Sequence, residues 1–196
     1  MEELSPVFWA ERYETGATGW DIGSVSTPLK VYFDQLGNKD MSILIPGGGR
    51  SYEAEYLHKL GFKNVHVVDL VEAPLQALLG RCPDFPKEHL HQGDFFAHRG
   101  TYDRIIEQTF FCALDPALRP RYVRQCHALL KPGGKLVGVL FDDPLFTDHP
   151  PFGGHAVEYE RLFSPVFPRF SAVRCHNSIP PRAGRELWIT AVKPEH

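Results

Sequence analysis

Nothing in this sequence is patterned to cross a bilayer or to rely on covalent cross-links. No apolar run approaches 18 residues, so no membrane span and no membrane partner are expected. The start, MEELSPVFW, is acidic and has no apolar h-region, so no secretory signal is expected. The four cysteines (Cys82, Cys112, Cys126 and Cys175) are scattered, with no CxxC, and read as isolated thiols of a reducing cytosol. Charge is never concentrated: the net charge is −3, without a block of like sign, which argues against a nucleic-acid partner. Internal repeats, low-complexity tracts and a second composition regime are also missing. What remains is ordinary globular stock, 43% hydrophobic and 23% charged over 196 residues. That suits one domain, residues 1–196, with a substantial core. A cytoplasmic protein is the expectation, its oligomeric state open and a monomer favoured.

The richest stretch is SILIPGGGRSYEAEYLHKLGFKNVHVVDL, from Ser42. An apolar run at residues 43–45 stops at Pro46, and Gly47, Gly48 and Gly49 follow. Next comes an amphipathic segment with Ala54, Tyr56, Leu57 and Leu60 apolar, closed by Gly61. A second apolar run, 65–68, ends on Asp69, twenty residues beyond Gly49. This is strand, glycine turn, helix, strand, acid: a βαβ unit for a ligand that carries a ribose. Glycine lets the backbone turn tightly and lets a ligand come close, because no Cβ intervenes. The helix start offers free N–H groups to an anionic group, and a carboxylate at the next strand end can accept from ribose hydroxyls. GGGRS is not GxGxxG, since Ser51 and Tyr52 stand where a third glycine would fall. Nicotinamide, flavin and S-adenosylmethionine sites all use this arrangement, and an ordinary glycine turn is the bland alternative.

The rest of the chain alternates strand and helix. Residues 4–14 carry Phe8, Trp9 and Tyr13, with Trp20 following in TGATGWDIG. Trp9 and Tyr13, four apart, share a helix face. They read equally as a docked arm and as a lid over a site. Ser26-Thr27-Pro28 is a helix start, with a hydroxyl N-cap and an early proline, and the helix closes by Gly37. A helix is expected at 73–81, a short strand at 89–91, a strand at 102–107 and a helix at 116–130. KPGG at 131–134 reads as a turn, 135–141 as a strand, 142–154 as a loop and 157–167 as a helix. Two last strands, 170–176 and 186–193, are joined by a stretch too short and proline-rich for a crossover helix, so they should pair antiparallel. The class is α/β: a doubly wound, seven-stranded, mostly parallel sheet ending in an antiparallel hairpin.

Four features then narrow the ligand. Asp94-Phe95 follows the third strand, suited to an adenine amino group and ring. EQTFF (residues 107–111) ends the fourth strand, at the edge where ligands bind. LLKPGGKLVGV resembles the helix-turn-strand in the second half of S-adenosylmethionine-dependent methyltransferases, and the hairpin fits that fold. With FWAERYETGATGWDIGSVSTPL, ILIPGGGRSYEAEYL, VHVVDL, YDRIIEQTFFCALDP and SIPPRAGRE, the chain resembles the thiopurine S-methyltransferase family, on its thiol/halide methyltransferase branch.

That resemblance implies a Rossmann-like methyltransferase fold with S-adenosyl-L-methionine as cofactor and a thiol, heterocyclic thiol or halide as acceptor. It implies a lid at residues 1–25, with Trp9, Tyr13 and Trp20 over the cofactor. It implies Gly47 at the methionine end, Asp69 at the ribose and Asp94 with Phe95 at the adenine. Gln108, near the transferred methyl, stands where relatives carry an aromatic or arginine. Trp20, Phe110, Phe111 and Phe152 are expected to wall the acceptor pocket, although each aromatic reads also as plain core. No catalytic residue is assigned; Glu107, Gln108 and His149 are candidates, and Asp142 and Asp143 are further possible bases. No metal site is expected, because the histidines show no ligand spacing. The alternatives are a nicotinamide-dependent oxidoreductase built on the same unit and a cofactor-binding module without turnover.

Overall fold

The computed structural model describes residues 4–195, so the first three residues of the expected lid lie outside the described residues, as does His196. Helix α1 (Pro6–Thr15) starts on Ser5, whose hydroxyl accepts from the Phe8 N–H at 3.3 Å, and ends on Gly16 at φ 71°. Helix α2 (Thr27–Asp34) follows. Ser26 stands at its N-cap, but the hydroxyl makes no capping bond. Instead the Ser26 N–H donates to buried Glu53 at 3.1 Å, tying α2 to the first turn of the helix that follows the glycines.

Strand β1 (Ser42–Pro46), α3 (Tyr52–Lys59) and β2 (Asn64–Asp69) form the expected βαβ unit. Helix α4 (Glu72–Arg81) and the three-residue β3 (Leu90–Gln92) come next. Then follow β4 (Tyr102–Gln108), α5 (Arg119–Leu129) and β5 (Leu130–Phe141). A small hairpin, β6 (Asp143–Leu145) with β7 (Phe152–Gly154), precedes α6 (Ala156–Phe163), β8 (Arg169–Arg174) and β9 (Glu186–Val192).

The main sheet has seven strands in the order β3-β2-β1-β4-β5-β9-β8. The first five pair in parallel, β9 runs antiparallel to β5, and β8 antiparallel to β9. The chain reverses its progression across the sheet at β1 and β4, which opens a crevice beyond their carboxyl ends.

Each face of the sheet is covered, so the inner strands are apolar throughout. Ile43 and Ile45 face Leu29, Phe33, Leu57 and Leu78 on the α2–α4 side. Leu44, between them, faces Ile105, Tyr122, Cys126 and Phe163 on the α5–α6 side. Each such fully buried aliphatic side chain contributes about 1.5–3 kcal/mol.

Three local expectations shift. The 116–130 helix begins as a short 3-10 turn, Pro116–Leu118, because the Asp115 side chain captures the Ala117 N–H at 2.8 Å; the α-helix starts at Arg119. The 131–134 turn is a bulge inside β5: Tyr102 pairs with Leu130, Arg104 with Lys135, and Gly133 takes φ 72° to absorb the excess chain. The 142–154 loop contains the β6–β7 hairpin.

Candidate active site

Gly47 and Gly49 both take left-handed φ (56° and 52°), and Ser51, where a third glycine would fall, does too, at 60°. The turn is anchored where the Gly47 N–H donates to the Val68 carbonyl at 2.8 Å. A Cβ on Gly47 would stand 2.1 Å from Cδ2 of Phe110, and one on Gly48 would stand 2.6 Å from Val67 Cγ1. Packing therefore disfavours a side chain at both positions, and at Gly47 the left-handed torsion does so as well.

Asp69 ends β2 beside this turn. Its carboxylate accepts from the Val71 N–H at 3.0 Å and, more loosely, from the Gly49 N–H at 3.4 Å. Burial outweighs these bonds and pushes its pKa up to about 6. A carboxylate has about four acceptor sites, so capacity remains for a ligand's hydroxyls.

The aromatic N-terminal segment closes over the turn. The rings of Trp9 and Tyr13 each meet Trp20 edge to face at 5.7 Å. Tyr13 Oη and Trp20 Nε1 both lie 3.6 Å from where a Gly49 Cβ would be. Burial, then the neighbouring Asp69, holds the Tyr13 phenol well above its ordinary pKa. Two ties hold the segment down. Arg182, buried and 3.6 Å from Glu186, donates to the Trp20 carbonyl at 3.0 Å, and Asp21 lies 2.6 Å from Arg50 of the glycine turn. The Asp21–Arg50 pair is a charge contact without an aligned hydrogen bond from Nε.

Beyond β3, the exposed Asp94 caps its own turn, accepting from the Phe96 N–H at 2.8 Å. Phe95 is core, 3% exposed, and meets the Phe110 ring edge-on at 5.4 Å. The Gly93 N–H donates to the Asp69 carbonyl at 2.8 Å, which brings this turn to the same edge as Asp69.

Glu107 ends β4 with no exposed surface. Its Oε1 accepts from the N–H groups of Phe110 and Phe111 at 2.8 and 2.9 Å, and its Oε2 accepts from the Tyr122 hydroxyl at 2.6 Å. Gln108 follows, its Oε1 buried without a partner, and Thr109 adopts φ 58°, a strained torsion for a β-branched residue. Phe111 is packed among Tyr122, Tyr159 and Phe163, under the Arg119 guanidinium at 4.7 Å. Phe152 is buried on β7, and its carbonyl accepts from Arg119 at 3.3 Å. Glu107, Thr109, Phe111, Cys112, Phe141, Tyr159 and Glu186 line a small cavity of about 10 Å³ here.

The structure thus gathers Trp9, Tyr13, Trp20, Gly47, Asp69, Phe95, Gln108 and Phe110 at one sheet edge. His149 goes elsewhere: it sits on the exposed tip between β6 and β7, stacked on Phe146 at 4.1 Å and bonded to the Pro150 carbonyl at 2.9 Å. Sequence reasoning missed Arg182 and Arg119. Arg182 lies within the SIPPRAGRE segment, which carried the only signal for it; nothing in the sequence singles out Arg119. Among the described residues no group of three or more His, Cys, Asp or Glu side chains converges as a metal site, and no helix is long and apolar enough to cross a membrane.

A seven-stranded sheet with one antiparallel strand inserted beside β5, a glycine turn after β1 and an acid after β2 together define the class of S-adenosylmethionine-dependent methyltransferases. Solved structures agree on the fold. A Burkholderia thailandensis 1,6-didemethyltoxoflavin N1-methyltransferase with bound S-adenosylhomocysteine superposes with TM-score 0.73 at 22% identity, covering 96% of this chain and 87% of its own. The family model described as thiopurine S-methyltransferase matches residues 4–188, and the chain belongs to that family. A probable thiol methyltransferase 2 of Arabidopsis thaliana is 30% identical over 195 residues, covering 95% of this chain and 84% of the relative. A thiopurine S-methyltransferase of Vibrio atlanticus is 25% identical over 178 residues, 82% of each chain. The protein is an S-methyltransferase that uses S-adenosylmethionine, and these relationships do not favour the nicotinamide or silent-module readings.

Proposed function

We propose that this enzyme methylates a small soft nucleophile that arrives already ionised: a thiolate, a heterocyclic thiolate or a halide. One observation carries the reading. Each carboxylate or imidazole that the sequence offers as a base is engaged by the protein. Glu107 is sealed from solvent, with both oxygens engaged by two N–H groups and a phenol. Asp142 lies against Arg174 at 3.0 Å and His155 at 3.5 Å. Asp143 pairs with Arg185 at 2.5 Å, and His149 sits on an exposed tip. A soft anion needs no base, only alignment and the exclusion of water.

The residues fit the cofactor. Asp69 has acceptor capacity for ribose hydroxyls, and the Gly47–Gly49 turn lies beside it. Asp94 and Phe95 stand at the adenine end. When bound, S-adenosylmethionine supplies a methyl group on a cationic sulfonium. Trp9, Tyr13 and Trp20, in a lid spanning residues 1–25, exclude water from above and offer ring faces to a cation. Gln108 and Phe110, with Trp20, wall the acceptor side, and Phe111 and Phe152, almost wholly buried, support that wall from the core. Charge disperses as anion meets cation, so a poorly hydrated aromatic wall favours the transition state over the separated ions. The single domain 1–196 acts as a cytoplasmic monomer without a nucleic-acid partner.

The test is mass-spectrometric detection of methylated product across thiols, aromatic thiols and halides, with alcohols and amines as controls. S- or halide methylation that continues below the free thiol's pKa only in proportion to its anion fraction is expected. Product confined to the alcohols or amines overturns the reading.

A further inference from the structure

We propose that Glu107 is a positioning residue for methyl transfer: it touches neither cofactor nor acceptor and acts by holding the backbone turn at 108–111 that sets both walls of the acceptor pocket. This rests on the acceptor reading above and extends it.

The argument starts from saturation. A carboxylate at the carboxyl end of a central strand of this fold stands where a ligand group is expected. Here both oxygens are spent within the chain, on Phe110 N–H, Phe111 N–H and Tyr122 Oη at 2.6–2.9 Å. Three charge-assisted bonds to one buried carboxylate form a rigid clamp. The clamp holds strain: Thr109, inside the turn, is kept at φ 58°. Its output is two ring positions. Phe110 is pressed onto the Cα of Gly47, and Phe111 onto Tyr122, Tyr159 and Arg119 beside the small cavity.

The clamp is braced from behind. A Cβ on Gly138 of β5 would stand 2.0 Å from the Glu107 carbonyl oxygen, so β5 presses flat against this strand end. The titratable and charged groups facing Glu107 come from three directions. They are Tyr122 and Cys126 from α5, Cys112 from the turn after β4, and Glu186 with Arg182 from the β9 side; Arg119 lies beyond Cys112. Burial outweighs the three bonds and pushes Glu107 up to about 7. The clamp therefore changes charge near neutrality, and the amides it holds report the change.

The test compares Glu107→Gln and Tyr122→Phe with the wild type in the full-length protein. The wild-type Phe110 and Phe111 amide proton resonances should move together with a midpoint near 7, and Glu107→Gln should abolish the movement. Both variants should bind S-adenosylhomocysteine within about threefold of wild type while kcat falls, by about 100-fold for Glu107→Gln, as expected for a misplaced reacting pair. An unchanged kcat in both variants overturns the proposal, as does a loss of S-adenosylhomocysteine binding that tracks the loss of activity. If Glu107→Gln does not fold, Tyr122→Phe alone carries the kinetic arm. If the wild type methylates no thiol or halide while the two amides titrate as stated, the acceptor reading fails and the clamp stands.

Discussion

Asp69 and Glu107 are two carboxylates at the carboxyl ends of β2 and β4, the strands that flank β1 in the sheet, and both are pushed up by burial, to about 6 and about 7. Their hydrogen bonds differ. Asp69 takes one good backbone bond and one loose one, at 3.0 and 3.4 Å, and keeps lone pairs to spare. Glu107 takes three short bonds and is sealed from solvent. A strand-end acid can thus serve a ligand or serve the chain, and the unspent acceptor capacity distinguishes the two.

The comparison can be broken in four places. The largest effect is expected at Glu107. Alanine there strands two buried N–H groups and a phenol, which costs about 3 kcal/mol of stability or more, read from chemical denaturation. A loss under 1 kcal/mol would show that water replaces the carboxylate.

Asp69→Ala should cost less stability but weaken S-adenosylhomocysteine binding by about 1–3 kcal/mol, roughly 5- to 150-fold by calorimetry. The pH signs are opposed. The folded state holds an extra proton on Asp69 between 3.8 and about 6, so its contribution to stability is full below that window and lost as pH rises through it. Ligand affinity should rise over the same window, because the ionised carboxylate accepts more strongly. Asp69→Asn should flatten both dependences.

Arg182→Ala should come third. It removes one donor to the Trp20 carbonyl and leaves the rest of the segment's packing, so S-adenosylhomocysteine affinity should fall by about 1 kcal/mol with little change in kcat. A large fall in kcat alone would move Arg182 from the lid to the acceptor.

The smallest effect is expected at the β2–β3 edge, where His66 lies 3.1 Å from His91 and stacks near His89 at 4.1 Å. Burial, then the neighbouring imidazoles, lowers His66 to about 4. Its neutral form stabilises the fold above 6.5, and that contribution is lost as pH falls towards 4. His66→Phe should flatten acid unfolding over this window by under about 1 kcal/mol, since the ring is half exposed and solvent screens it.

Where several candidate residues sit was legible because their positions answer to local rules. Gly47, Asp69, Asp94 and the Trp9/Tyr13 pair follow from turn torsion, strand ends and helical spacing, each readable within about thirty residues. Glu107 was legible as a strand-end acid but not as a clamp, since its partner Tyr122 arrives from α5, fifteen residues on and on another layer. Phe111 and Phe152 were expected to wall a pocket; the structure shows them almost wholly buried, at 1% exposure each, and only Phe111 lines the small cavity. His149 was one of three catalytic candidates, in a stretch expected to be a long loop; the unexpected β6–β7 pairing carries it to an exposed tip.

The sequence by itself determined the alternation of strands and helices, the glycine turn, the acid at the end of β2 and the terminal hairpin. Periodicity, torsional demands and chain length act over short separations and need no partner to be known. Only the tertiary structure decided which acids are free and which are spent, because that depends on donors brought from 3 to 15 residues away and across layers. It also decided that Arg182, 162 residues from Trp20, ties the N-terminal segment down. Hydrogen-bond saturation is a property of an assembled neighbourhood, and no spacing along the chain encodes it.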